Sequence, residues 1–486
     1  MKKVYISLVL LSCLAASCTK NFEKINTDPN RPTEVNPGVV LGQMEYRMVT
    51  SSISAARGFT HELMQVDAPR SSSGNGVHRY VINPGTGVWN SFYTLLADVN
   101  VVISSAERLK ENNYKAIGLI YKCWAYSILT DIYGDIPYSE ALKAADGNVQ
   151  PKFDSQKDIY TQILKDLDEA NTLFDENKAL TYGGDNLYPS NSLTSGKNVG
   201  IQRWKKFGNT LKLRLLLRLS KRAAEMNTDA QINAILNDPT KYPVFTSNAD
   251  EGIYKFPNVY PYFNPYYTAR QLDWRDGVYY TKYFLGNLNA WNDPRRAVWA
   301  IPISGVYQGI DSGYPTTTIY VVGKNSSYVD ALKTASNTGV MITYAEEEFI
   351  KAELALKGFN TGKTAKAHYE AGIAASMTQW GVSVPAGYLQ QTGVNFDESA
   401  SLDKRLEQII TQKYYAYFFN DYQAWLEKRR TGYPVLPRGT GIPAENQFPN
   451  RIPYPTYLQS LNPVNLKAAV AAMGGDNSDI KVWWDK

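Results

Sequence analysis

Asn112-Asn-Tyr-Lys-Ala-Ile-Gly-Leu-Ile-Tyr-Lys-Cys-Trp-Ala-Tyr-Ser-Ile-Leu-Thr-Asp-Ile-Tyr-Gly-Asp135 is the stretch whose reading decides the fold. Ile117, Tyr121, Trp124, Ala125, Ile128 and Ile132 recur at three- and four-residue spacing, which makes one face of a helix apolar. Leu119, Cys123 and Tyr126 make the opposite face apolar too, so the helix is expected to be buried on two sides, as in a stacked helical array. Upstream, Val88, Phe92, Leu95, Leu96, Val99, Ile103, Ala106 and Leu109 repeat the pattern, with only Asn112 and Asn113 between the two. Two antiparallel helices joined by a tight turn result.

The same periodicity predicts helices over 155–174, 204–221, 345–357, 365–379 and 402–426. Gly358 and Gly362 break the third from the fourth, and the small residues Ala352, Ala355, Ala365, Ala371 and Gly372 let their axes approach. Such pairs look like tetratricopeptide units, although no strict repeat is visible. Between 250 and 344 the character changes to prolines, glycines and aromatics. In Tyr254-Lys-Phe-Pro-Asn-Val-Tyr-Pro-Tyr-Phe-Asn-Pro-Tyr-Tyr the prolines remove donors and push their predecessors to extended geometry, so the segment reads as a loop-rich layer on the helices.

At the N-terminus Lys2 and Lys3 precede an apolar run from Val4 to Ala16, and Ala15, Ala16 and Ser17 lead into Cys18. The run is about half of the roughly 20 apolar residues that span a bilayer, which marks an export signal. The small residues before the cysteine read as a bacterial lipobox, with Cys18 as the acylated N-terminus after cleavage. Residues 1–17 are the expected signal peptide and 18–37 a polar, lipidated tether with little to bury. One domain is expected over 38–486: a helical scaffold at about 38–249 and 345–430, the loop-rich insert at about 250–344, and a C-terminal segment, 431–486.

Three cysteines are present; Cys13 leaves with the signal and Cys18 takes lipid, so Cys123 has no disulfide partner. Its apolar surroundings predict a buried structural thiol. The net charge of +5 is interspersed and forms no basic stripe, which argues against a nucleic-acid partner. Tyrosine is abundant, 35 residues, with 10 tryptophans and only three histidines, His61, His78 and His368. A tyrosine ring with its polar edge suits wet interfaces and sugar rings. No metal or cofactor is expected.

Catalytic motifs are absent: no H-E-x-x-H, G-x-S-x-G, phosphate-cradling loop or dinucleotide fingerprint. Glu346, Glu347 and Glu348 sit at a helix start, where the dipole and solvent account for them. The aromatic loop supplies the best ligand candidates, Tyr260, Tyr262, Tyr266, Tyr267, Arg270, Asp273 and Trp274. A second candidate is the glycine-containing loop 70–80, with Arg79 and Tyr80, running on to Trp89.

Strings spread along the chain carry a resemblance. Phe22-Glu-Lys-Ile-Asn-Thr-Asp-Pro-Asn, Asp131-Ile-Tyr-Gly-Asp-Ile-Pro-Tyr-Ser-Glu-Ala, Pro151-Lys-Phe-Asp, Trp204-Lys-Lys-Phe-Gly-Asn-Thr-Leu-Lys-Leu-Arg, Asn292-Asp-Pro-Arg, Arg429-Arg-Thr-Gly-Tyr-Pro, Arg451-Ile-Pro-Tyr-Pro and Val482-Trp-Trp-Asp occur in that order. The chain resembles the SusD/RagB outer-membrane lipoproteins of Bacteroidetes, and most of all their second SusD-like branch. The resemblance implies a mostly α fold, with tetratricopeptide-like pairs forming a right-handed helical scaffold under an irregular ligand-binding layer. It implies a lipoprotein anchored in the outer membrane and facing the cell exterior, without catalysis. The partner implied is a SusC-like TonB-dependent transporter, over which the lipoprotein opens and closes as a lid. Ligand contacts are transferred by region only, to Arg79, Tyr80, Trp89 and the aromatics from Tyr260 to Trp274. An oligosaccharide is the first expectation for the ligand; a peptide, as for RagB-type relatives, is the second, and a lipid-anchored glycosidase the third.

Overall fold

The computed structural model describes residues 35–189 and 192–486; the expected signal peptide, Cys18 and all but the last residues of the expected tether lie outside the described residues. Helix α1 (Pro37–Ala55) starts where the Asn36 side chain accepts the Val39 amide at 3.2 Å and Pro37 fills the first turn. Helices α2 (Thr86–Leu109) and α3 (Asn112–Tyr133) form the expected hairpin. The turn lies at Lys110 and Glu111, slightly earlier than the asparagines, with Lys110 left-handed at φ 59. Asn113 is already helical; its side chain accepts the Asp175 amide and donates to the carbonyls of Asp175 and Lys178. Helix α3 is buried on nearly every side, with Lys115 and Lys122 among the few side chains that reach outward. It packs between α2 and α4 (Gln156–Leu173), and α4 in turn packs on α5 (Val199–Arg218).

Helix α6 (Thr228–Asn237) follows, and then α7 (Lys282–Ala290), which emerges from the otherwise irregular segment. The second large hairpin is α8 (Tyr344–Leu356) with α9 (Ala365–Gln379), and Gly372 gives Phe349 its close seat. The single helix expected over 402–426 is two: α10 (Leu402–Ala416) and α11 (Gln423–Thr431). The break is tertiary in origin. Phe419 is left-handed at φ 64, and its amide donates to Nε2 of His61 at 3.2 Å. Nδ1 of His61 then donates to Tyr328 Oη at 2.8 Å, and the Tyr328 hydroxyl donates to Asp67. Helix α12 (Pro463–Met473) ends at the left-handed Gly474.

Sheet is sparse. Strand β1 (Asp67–Pro69) comes first, then a small hairpin, β2 (Leu193–Thr194) with β3 (Lys197–Asn198). Strand β4 (Gly252–Tyr254) pairs with β6 (Gly339–Ile342), and β5 (Val278–Tyr280) runs antiparallel to β1, with Asp67 opposite Tyr280 and Pro69 opposite Val278. Among the described residues no helix is long and apolar enough to cross a membrane.

Between α3, α5, α8, α10 and α11 lies a layer of buried ion pairs. Arg214 makes a two-pronged pair with Glu346, both contacts at 2.6 Å. Arg218 meets Asp131 at 2.7 Å, and Arg430 grips Glu353 at 2.6 Å and Glu427 at 2.8 Å. Lys413 adds a second cation to Glu427 at 2.8 Å. The acidic run at the start of α8 is therefore not a solvated face, and that expectation is corrected. Glu346, Glu347 and Glu348 are all buried, held by Arg214, Lys351 and His368 respectively. Arg430 pairs with carboxylates, whereas Arg429 also donates to the Asp131 carbonyl at 2.7 Å. Cys123 is buried and its thiol points at the Ile163 carbonyl; burial raises its pKa well above the ordinary thiol range, as expected of a structural cysteine.

The tyrosine excess has a structural use that composition does not reveal. Hydroxyls of Tyr93, Tyr114, Tyr188, Tyr369 and Tyr414 donate to the carbonyls of Pro137, Gly183, Asp250, Val394 and Met64, at 2.7 to 2.9 Å. Irregular backbone buried against helices leaves carbonyls without ladder partners, and a tyrosine reaches them while its ring stays in the core.

Two stability predictions follow from the buried charges. Burial alone would raise the Glu427 carboxyl, but Arg430, Lys413 and Arg218 outweigh it and hold the group well below its ordinary 4.5; Glu353 is lowered in the same way. A depressed carboxylate contributes stability that is present above the unfolded pKa and is lost as pH falls through the folded one. Arg430→Met should cost about 3–5 kcal/mol near pH 7 in urea unfolding, with the penalty shrinking in acid. Asp67 behaves oppositely, since burial raises it from 3.8 to about 7. Charging it costs stability, increasingly so as pH climbs from its unfolded to its folded value. Asp67→Asn, which can still accept from Tyr328, should be neutral in acid and stabilising by on the order of 2–4 kcal/mol above pH 7.

Candidate functional site

The pairing of β1 with β5 places two irregular segments side by side. Loop 70–80 leaves the end of β1, and the aromatic segment enters the start of β5; the Arg70 amide donates to the Gly277 carbonyl at 2.8 Å. A third segment, 308–320, closes over both: Tyr320 donates its amide to the Arg70 carbonyl at 3.0 Å. Between 310–320 and the segment 437–440, a cleft of about 360 Å³ opens over the first residues of α7.

The floor of the cleft is continuous with the core. Thr281 caps α7 by accepting the Phe284 amide at 3.1 Å, and Gln65 donates to the Pro437 carbonyl at 2.7 Å. The walls are aromatic. Tyr314 and Tyr320 stand edge to face, 5.1 Å between centroids, and Tyr283 faces them from α7. Polar groups line the rim: Lys282 and Asp311 pair at 2.8 Å in the open, and the exposed Arg438 donates to the carbonyls of Pro443 and Asn446. The Ser312 hydroxyl also lines the cleft, buried and without a hydrogen-bond partner. Aromatic faces with convergent donors and acceptors are the makeup of a site for a polar, ring-bearing ligand.

None of the ligand residues named from sequence lines this cleft. Arg79 and Tyr80 lie just behind it. The Arg79 guanidinium reaches the Tyr314 carbonyl at 3.4 Å, and the Tyr80 ring packs on Phe448 with the Arg438 guanidinium 5.8 Å from its centroid. His78 joins them, accepting the Gly313 amide on Nδ1 at 3.2 Å. Burial lowers its pKa to about 4, so the ring serves as a neutral brace.

Trp89 and Trp274 have no open face and are corrected to packing residues. Trp89 is 5 % exposed, boxed in by Tyr93, Tyr133 and Tyr454. Trp274 is fully buried; its indole donates to the Val329 carbonyl at 3.1 Å, and the Arg57 guanidinium lies 4.4 Å over its ring. Tyr266 completes that stack at 5.2 Å, and Tyr262 packs on Tyr46. Tyr260, Tyr267, Arg270 and Asp273 remain exposed on the outer side of the aromatic segment, where Arg270 and Asp273 pair with each other at 2.7 Å. The cleft residues Tyr314, Tyr320, Lys282, Asp311 and Arg438 were not singled out from sequence. All but Arg438 lie in the proline- and glycine-rich segment expected to form the loop-rich layer, and Arg438 sits in the glycine-flanked Pro437-Arg-Gly-Thr-Gly run.

Residues 29–455 match the SusD-like family described as "Starch-binding associating with outer membrane". Among curated proteins none matches the sequence. Solved structures do. A chitin-binding SusD homologue from Flavobacterium johnsoniae superposes with a TM-score of 0.78 at 25% identity, covering 93% of this chain and 98% of its own. A SusD homologue from Bacteroides uniformis gives 0.78 at 26% identity, covering 93% and 99%. A Bacteroides vulgatus protein, proposed to be an outer-membrane protein involved in nutrient binding, gives 0.81 at 25%, covering 93% and 100%. With the family matched over most of its length and the helical scaffold shared with these structures, the chain belongs to the SusD-like family of starch-binding, outer-membrane-associated proteins.

Proposed function

We propose that this protein captures an oligosaccharide in the cleft bordered by Tyr320 and Tyr283 and delivers it to a SusC-like TonB-dependent transporter, acting as its lid. The observation that carries the reading is the cleft itself: aromatic rings beside Lys282, Asp311 and Arg438, between the irregular segments 310–320 and 437–440. Sugar rings present apolar CH faces that stack on aromatic planes, and their hydroxyls take the donors and acceptors of the rim. The helical scaffold fixes those loops, so the site is formed before the ligand arrives and little ordering entropy is lost on binding. Binding without turnover suffices for such a role. Acylation of Cys18 on the outer face of the outer membrane, followed by a polar tether, keeps the effective concentration of lid near barrel high while leaving it free to move.

The family description names starch and the Flavobacterium johnsoniae relative binds chitin, so malto- and chito-oligosaccharides are the first ligands to titrate. Calorimetry with acyl-free protein should show binding to at least one series without release of new reducing ends. Retention of peptides alone would move the ligand to the peptide class, and sustained release of reducing ends would make the protein a glycosidase.

Tyr320→Ala should weaken glycan binding by about 1–3 kcal/mol with little change in melting temperature. Trp89→Ala and Trp274→Ala should do the reverse, lowering stability by about 3–5 kcal/mol because each empties a packed site. Cys18→Ala should leave fold and affinity intact while the protein leaves the membrane fraction and uptake by cells falls. Unchanged fractionation would show that something other than acylation holds it there.

A further inference from the structure

We infer that the binding surface continues past Tyr283 into a second, larger cleft, so that the chain holds a linear glycan across two adjoining subsites; the inference rests on the glycan reading above. Tyr283 lines both clefts, the one under Tyr320 and another of about 540 Å³ between α7 and α10. The same return segment edges both, with Val435 at the larger cleft and Pro437 to Thr440 at the smaller. On this inference the two clefts form one groove with the half-buried Tyr283 at its waist. A single sugar would fill only one side of that waist.

The larger cleft has the chemistry of a neutral, polyhydroxylated ligand. Its floor holds Gln412, 1 % exposed, with Nε2 lacking any hydrogen-bond partner. Leaving an amide donor buried and unmade is costly, and a ligand acceptor would remove that cost. Asn287 and Gln408 add amides to the wall, and on the rim Lys404 and Glu407 neutralise each other at 2.7 Å. Trp291 is buried at the far end of the cleft, packed edge-on against Tyr415. Against it lies Gly393, left-handed at φ +85, where an added Cβ would stand 2.7 Å from the indole Nε1. Glycine at that position keeps the indole edge clear. Amides donate and accept on neighbouring atoms as sugar hydroxyls do, and beside the paired Lys404 and Glu407 the further carboxylate of Asp397 disfavours a phosphate or a peptide C-terminus.

The test uses acyl-free protein with malto- and chito-oligosaccharide ladders from disaccharide to octasaccharide. For whichever series binds, wild-type affinity should rise with length until both subsites are filled. Thr411→Trp, placing an indole in the larger cleft, should leave the shortest ligands bound as before and weaken the longest about tenfold, flattening the length dependence. Should the new side chain disturb α10, Glu407→Ala at the rim should give a smaller loss, again confined to long ligands. A length dependence that both variants leave intact would overturn the two-subsite inference and leave the first cleft standing. Failure of wild type to bind either ladder would remove the glycan reading, and the inference with it.

Discussion

Arg430 sits between two glutamates in the protein interior, and the arrangement of the helices around it depends on that contact. Its guanidinium meets Glu353 from α8 and Glu427 from its own helix, while Lys413 from α10 approaches Glu427 from the other side. Four charges within one buried cluster leave no water to absorb a misplacement, since a shift of one helix strands a carboxylate in a medium of low dielectric. Arg214 and Arg218, one turn apart on α5, extend the same logic to Glu346 at the head of α8 and to Asp131 near the end of α3. Apolar ridges alone would tolerate several registers between these helices. The fork geometry of arginine on carboxylate narrows the choice.

That rigidity reaches the cleft by a short route. Arg218 also donates to Gln423 at the start of α11, and the break before α11 exists because His61 takes the Phe419 amide. From His61 the hydrogen bonds run through Tyr328 to Asp67, the first residue of β1, whose far end opens into loop 70–80. The partner strand β5 leads straight into Thr281 and α7, which carry the floor and one wall of the cleft. The irregular layer is thus fastened to the ionic layer through named contacts at each step. Loops held this way can present side chains with little loss of entropy on binding.

What the sequence disclosed follows from this division. Helices α2, α3, α8 and α9 were legible because burial of a helical face leaves a period in the sequence, and α3 was legible even as a helix buried all round. The break between α10 and α11 was hidden, since nothing near Phe419 in sequence announces that a histidine more than three hundred residues away will claim its amide. Glu346 to Glu348 looked like a solvated helix start for the same reason: the arginine, lysine and histidine that hold them are read only in three dimensions. The loop-rich segment was legible, but which of its aromatics stand at an opening was not. Trp274 and Tyr320 belong to equally loop-like sequence, yet Arg57 and the Val329 carbonyl enclose one of them, and the other stands at an opening.

Tyrosine shows why composition alone misleads here. A chain with long irregular stretches over a helical base must find donors for many buried carbonyls, and tyrosine supplies them from the core side without placing a charge there. Hence Tyr188 reaches Asp250 and Tyr454 reaches Asp135 at 2.8 and 2.5 Å, and their rings are unavailable to any ligand. Tyr320 is different: it accepts the Asp311 amide at 3.3 Å, its ring half-buried at the cleft edge. Tyr283 is likewise half-buried, and it is the ring common to both clefts. A hydroxyl spent on a main-chain carbonyl fixes its ring as structure, whereas a ring at an opening whose hydroxyl is not so spent is free to serve recognition. By that criterion Tyr320 and Tyr283 are the tyrosines of the first cleft best placed for a sugar, whereas Tyr314 spends its hydroxyl on the Pro69 carbonyl and is structure.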